Sequence, residues 1–203
     1  MTRSGRASGS GEGMSVASAH GTHDPEARAR QICLRLLTAA PRTRAELAQA
    51  MDHDGVPDEA AEAILVRFTD VGLIDDAAFA RAWVESRHYS RGLSRRSLSA
   101  ELRRRGVDTE EIREAVDGLD PEQEAATARR LVEQKMAGSR GQPPEVRARR
   151  TASMLARKGY PPGLVFRLIR EVMEQESPDE PVGLELDSDQ YLDADPDLDE
   201  ASG

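Results

Sequence analysis

In this chain of 203 residues, charged side chains make up 32% and aromatics 3%, which is too little apolar and aromatic surface for one large core and points to small modules in series. The formal charge of −9 is unevenly placed: from Glu174 onward there are twelve acidic residues and no Lys or Arg, so residues 1–173 hold 28 basic against 25 acidic side chains, a balance of +3. No apolar run approaches the ~20 residues of a membrane span, and "MTRSGRASGSGEGMSVASAHGTH" lacks the apolar stretch of a secretory signal, so a cytoplasmic protein with no membrane association is expected.

Residues 1–24, rich in Gly and Ser, are expected to form a disordered arm. Residues 25–74 carry signals for three helices. Asp24-Pro25-Glu26 supplies an N-cap and an N1 proline, Ile32, Cys33, Leu36 and Leu37 give the apolar face, and Pro41 ends the helix. Cys33, flanked by aliphatics, reads as a small core residue rather than a reactive thiol. Thr43 and Glu46 have capping-box spacing, and a third helix bearing Ala60, Ile64, Leu65 and Phe68 stops at Gly72.

Residues 75–119 repeat the plan. Asp75 caps a helix carrying Phe79, Ala80, Trp83 and Val84, and two more helices meet at Gly106, with Asp108 and Glu111 as a capping box. Trp83 is expected to be buried against Leu98 and Leu102. Residues 120–175 open at Asp120-Pro121 and close with two helices joined at Gly159. Residues 176–203, acidic and broken by prolines, are expected to be a disordered tail that folds back over basic surface. No strand signal occurs.

The second and third blocks superpose at a shift of 53 positions, pairing Leu102 with Leu155, Gly106 with Gly159, Ile112 with Val165 and Val116 with Ile169. The first block fits more loosely, with Glu46-Leu47 set on Glu101-Leu102 and Gly55 on Gly106. The expectation is an all-α fold of three tandem three-helix repeats in an elongated, curved array, each shared glycine taking the left-handed region just past a helix.

Positive charge recurs with the repeat. Arg87, Arg91, Arg95, Arg96, Arg103, Arg104 and Arg105 face one acid, Glu101, within residues 87–105; Arg140, Arg147, Arg149, Arg150, Arg157 and Lys158 face one acid, Glu145, within residues 140–158. Two such stretches at equivalent places predict a charged binding surface for a polyanion or an acidic protein groove.

Catalytic signals are absent. His20, His23, His53 and His88 are dispersed, without Cys or carboxylate partners at metal-ligand spacing, and Asp75 stands where a cap is needed. There is no phosphate-binding glycine loop and no nucleophile elbow, so neither a cofactor nor enzymatic activity is expected.

"GLIDDAAFARAWVESR" followed by "RGLSRRSLSAELRRRGV" resembles the RecX family signature. Asp75, Asp76, Phe79, Ala80, Val84, Arg87, Gly92, Glu101, Leu102, Arg105 and Gly106 match it, and "LARKGYPPGLVFRLI" resembles the family's C-terminal element; Leu98 stands where an isoleucine is common. The resemblance spans about residues 25–175 and implies a regulator that binds the RecA recombinase and its filament on single-stranded DNA. Inhibition of ATP hydrolysis, strand exchange and coprotease activity is implied with it, within DNA repair, homologous recombination and the SOS response. Single-stranded DNA would then be met weakly or through the filament, and the protein would be a monomer. A competing reading places a winged-helix DNA-binding regulator in "TRAELAQAMDHDGVPDEAAEAILVRFTDVGLIDD". Its candidate recognition helix, residues 57–70, carries Asp58, Glu59, Glu62 and Asp70 against only Arg67 and would be repelled by DNA.

Overall fold

The computed structural model describes residues 24–176, and the expectations for both terminal arms lie outside them apart from Asp24 and Glu176. Nine helices and no strand occur among the described residues. α1 (Pro25–Ala39), α2 (Arg44–His53) and α3 (Asp58–Asp70) form the first unit. α4 (Asp76–Arg91), α5 (Arg95–Arg104) and α6 (Thr109–Asp117) form the second, and α7 (Pro121–Ala137), α8 (Pro144–Arg157) and α9 (Pro162–Glu176) the third.

Helix starts obey the local chemistry. The Asp24 carboxylate accepts the Glu26 N–H at 3.1 Å, Asp75 that of Ala78 at 2.7 Å, and Asp120 that of Glu122 at 2.9 Å. Both halves of the Thr43/Glu46 capping box form. The Asp108/Glu111 box does not close in the usual way. The Asp108 carboxylate takes the N–H of Glu110 at 2.8 Å, one residue short of the expected donor.

Each unit has its own apolar core. Leu47, Met51, Ile64 and Leu65 centre the first, Leu98, Leu102 and Ile112 the second, and Val132, Leu155 and Ile169 the third. The turns after α2, α5 and α8 are built alike: Val56 N–H donates to Met51 O, Val107 to Leu102 O and Tyr160 to Leu155 O, around glycines at φ +71°, +76° and +84°. This fixes the register of the first unit. Met51, not Leu47, occupies the place of Leu102, and Leu47 that of Leu98. The expected pairing of Glu46-Leu47 with Glu101-Leu102 is therefore one helical turn out of phase. The constant feature is the fixed span from N-cap to glycine, Thr43 to Gly55 and Ser94 to Gly106, both twelve positions.

Polar contacts at these same turns link each unit to its neighbour. At the first joint, Thr43 Oγ1 donates to Arg105 O at 2.7 Å, the Arg44 N–H donates to Asp76 Oδ1 at 2.9 Å, and the Arg105 guanidinium pairs with Glu46. At the second, the Ser94 N–H donates to Lys158 O at 2.9 Å and the Arg95 N–H to Glu124 Oε1 at 2.8 Å. Lys158 Nζ donates to Arg91 O at 2.5 Å, and Tyr160 Oη to Gly92 O at 3.0 Å. The α4 residue His88 faces the third unit. Its Nδ1 lies 2.9 Å from Leu93 O, which can only accept, so Nδ1 is the donor there, and Nε2 lies 3.0 Å from Thr127 Oγ1.

Trp83 packs against the core that holds Leu98 and Leu102, as expected, but is half-buried rather than enclosed. Its ring stacks on Phe79 with centroids 5.6 Å apart, and the guanidiniums of Arg105 and Arg87 lie 3.8 and 4.2 Å from its centroid. Its indole N–H donates to Glu101 Oε2 at 2.8 Å. The ring is thus the surface on which the first joint's arginine rests.

A Cβ at Gly106 would stand 2.3 Å from Ala45 Cβ, and one at Gly159 2.3 Å from Ser97 Oγ, whereas at Gly55 it would meet nothing within 4 Å. Alanine at Gly55 should therefore cost only backbone strain, about 1 kcal/mol. At Gly106 or Gly159 it should cost about 3 kcal/mol, because overpacking adds to the strain. Urea unfolding of the three variants measures this, and equal losses would show that the joints are not tight. Trp83→Ala should cost about 2 kcal/mol and Trp83→Phe, which loses the Glu101 hydrogen bond, about 1 kcal/mol. Near-equal stability of Trp83→Ala and wild type would contradict the stacked arrangement.

Candidate functional site

The described residues contain no group of His, Cys, Asp or Glu placed to hold a metal ion. Cys33 is buried against Met51 Sδ at 3.7 Å, and burial pushes its thiol pKa up, away from nucleophilic character. Asp76 is held above the ordinary carboxyl range, chiefly by burial, with the charges of Asp75 and Glu46 adding to it; its carboxylate is spent on the Arg44 N–H. His53 is exposed, His88 is committed to the second joint, and His20 and His23 lie outside the described residues. The distinguishing surface of the described residues is cationic.

The structure divides the expected cationic residues in two. The first group is held by intramolecular contacts. Arg105 bridges Glu46 and the Trp83 ring, and Arg87 makes the other cationic contact on that ring. Arg95 donates to Val116 O at 3.1 Å and pairs with Asp117 at 2.7 Å, and Lys158 reaches Arg91 O, its amine pKa lowered by burial and then by the charges of Arg91 and Arg157. Arg147 is buried as well, donating to Met136 O at 2.9 Å and pairing with Glu176 at 2.6 Å. Arg140 also pairs with Glu176, at 3.5 Å.

The second group is free. Arg91, Arg96, Arg103, Arg104, Arg149 and Arg157 are exposed and form no ion pair among the described residues, and Arg150 donates only to the Gln142 side chain at 2.8 Å. On α5, Arg96 and Arg103 are seven residues apart, as are Arg150 and Arg157 on α8, so each pair shares a helix face two turns long. Counting back from the glycines, Arg96 is equivalent to Arg149 and Arg104 to Arg157. The corresponding α2 residues are Ala45 and His53, so the cationic faces belong to the second and third units alone. Unpaired exposed guanidiniums in two successive modules can engage phosphates or carboxylates in parallel, each contact weak and the set strongly salt-dependent.

The joint roles of two acids, Asp76 of the family signature and Glu124, escape sequence reasoning. Asp76 and Glu124 look like ordinary first-turn acids, yet each caps a helix of the preceding unit. The spacing between a helix start and an acid 32 or 29 residues later carries no local signal.

Comparison with known proteins agrees with this architecture. Family models described as the first, second and third three-helix domains of RecX match residues 29–68, 75–116 and 122–169. The chain is 58% identical over 164 residues to "Regulatory protein RecX" of Thermobifida fusca, covering 81% of this chain and 85% of that protein. It is 54% identical over 156 residues to the protein of that name from Streptomyces coelicolor, covering 77% and 83%. A crystal structure of regulatory protein RecX superposes with a TM-score of 0.65 at 26% identity, covering 73% of this chain and 74% of the other. That of RecX from Lactobacillus salivarius gives 0.66 at 17% identity over 74% and 97%, a likeness of fold. With three consecutive domain matches and relatives above half identity across most of its length, the chain belongs to the RecX family of regulatory proteins.

Proposed function

We propose that this protein binds a RecA recombinase filament assembled on single-stranded DNA and restrains its ATP hydrolysis, strand exchange and coprotease activity in DNA repair and recombination. The observation that carries the reading is the set of unpaired guanidiniums on α5 and α8, set at equivalent positions of two successive units. A filament presents the same groups again and again along a helix, and two like modules in series can meet two of its subunits. Family membership supports RecA as the partner. The protein acts by occupying a surface, without catalysis, and contacts single-stranded DNA weakly or through the filament in the cytoplasm. The winged-helix alternative gains nothing from the geometry: α3 is acid-rich in its first turn, and α4 comes after it with no strand between.

The binding unit is a monomer. α8 begins one turn earlier than α2 and α5 relative to the glycine, so Ala148, the equivalent of Arg44 and Arg95, lies inside the helix and has no N–H to offer a further unit. The residues that do start the helix, Pro143 and Pro144, include no backbone donor. Sedimentation should give a monomer across the working range of concentration, and a self-association dependent on α8 would contradict the closed end.

The decisive test is charge reversal. Arg96→Glu, Arg103→Glu and Arg104→Glu together, or Arg149→Glu, Arg150→Glu and Arg157→Glu together, should weaken inhibition of RecA-dependent ATP hydrolysis by about 10-fold or more and flatten its salt dependence. Stability should move by no more than about 0.5 kcal/mol per substitution, since these side chains hold nothing together. Wild-type inhibition by both folded variants would place the binding surface elsewhere.

A further inference from the structure

The seam between the second and third units holds a groove that shares His88 and Thr127 with the second joint and otherwise lies apart from the joints and the cationic faces. α4, α6 and α7 line it, with a volume of about 620 Å³. Val84, Ala115 and Leu119 form an apolar wall, and Arg81 and Arg130 stand exposed on its rim opposite a single acid, Glu85. Tyr89, on the same rim, is 87% exposed, the most exposed large apolar side chain of the described residues. An apolar wall with an aromatic and two guanidiniums at its edge suits a peptide in which aliphatic residues alternate with carboxylates. A nucleic-acid backbone fits it less well, because two separated cations and an acid give no continuous positive track.

Such a peptide is present in the chain itself. Beyond Glu176 the sequence carries Leu184, Leu186, Tyr191, Leu192 and Leu198 interleaved with ten acids and no base. Its point of departure is known. Arg147 holds Glu176 at 2.6 Å and Met136 O at 2.9 Å, so the end of α9 sits beside the last turn of α7. The groove lies along the first half of that helix, from Gln123 to Arg130. From Met136 back to Gln123 is thirteen residues, or about 20 Å of helix. Residues 177–183 span about 23 Å when extended, which brings Leu184 and the residues after it onto the groove.

We infer that the acidic segment 184–200 docks intramolecularly in the groove between α4, α6 and α7, its aliphatic side chains against Val84, Ala115 and Leu119 and its carboxylates on Arg81 and Arg130. Tethering gives the segment a high effective concentration there, so an external acidic ligand must displace it. This inference stands whether or not the external partner is a recombinase filament.

The test uses the full chain with a nitroxide on Gln190→Cys, Cys33 being fully buried and closed to the reagent. Amide signals of residues 84–89, 115–119 and 123–130 should lose intensity more than those of the first unit, at low and at high salt. Arg130→Glu, Tyr89→Ser, or Leu186→Ser with Leu192→Ser should each restore those signals while leaving the remaining amide shifts in place. Uniform or absent broadening would overturn the proposal. So would broadening centred on Arg149, Arg150 and Arg157 that disappears with salt, which marks a purely electrostatic association with the outer cationic face.

Discussion

The start of a helix leaves backbone N–H groups without intrahelical partners, and the middle helix of each of the first two units satisfies part of that need with atoms of the next unit. Asp76 reaches the Arg44 N–H and Glu124 the Arg95 N–H, while the carbonyls of Arg105 and Lys158 receive the donors of Thr43 and Ser94. The rest of the array depends on this exchange. The glycine after each of those carbonyls must be a glycine because the preceding unit's helix start lies against it, at Ala45 in one joint and at Ser94 and Ser97 in the other. The three apolar cores stay separate, one within each unit.

The recurrence of positive charge before each glycine has two causes that the structure separates. The residue immediately before the glycine, Arg105 or Lys158, belongs to the joint: one pairs with Glu46 and lies on Trp83, the other donates to the Arg91 carbonyl. The residue before that, Arg104 or Arg157, is exposed to solvent without an ionic partner among the described residues. The first unit carries Asp54 at the joint position, paired at 3.8 Å with Arg35 of its own α1. Like residues in sequence thus do unlike work, and the cations open to a partner are fewer than the sequence suggests.

The sequence makes legible whatever a stretch of a dozen residues determines. Asp24, Asp75 and Asp120 cap helices because a short side chain just before a helix reaches the first free N–H groups, and Gly106 and Gly159 take positive φ because the turn demands it. Expectation and structure part where a distant residue decides. Trp83, one turn after Phe79, has the spacing of a core residue, but Arg105 occupies one face of its ring and Glu101 claims its N–H, which holds it at the surface. The shared dipeptide Glu-Leu sets Leu47 on Leu102, although the distance to the glycine places Met51 there. The motif residues that resemble the RecX signature mostly build the second unit and its two joints, including Asp76, Gly92, Glu101 and Arg105. They therefore mark the fold rather than the exposed cationic faces.

A tandem array whose joints are self-complementary would be expected to add copies without limit, since a head-to-tail contact that does not close yields a fibre. Both ends of this array are altered where that could happen. At the first unit the glycine turn is present, with Gly55 at φ +71° and open space around it, but the cation that would reach an upstream partner is replaced by Asp54. At the third, α8 starts a turn early on Pro143 and Pro144, and the N–H that Arg44 and Arg95 offer in the other units is enclosed within the helix at Ala148. One end presents the opposite charge, and the other lacks the donors at the two positions that start the helix. The chain therefore carries like cationic faces in two successive units, while the contacts that join its units are altered at the first and at the third.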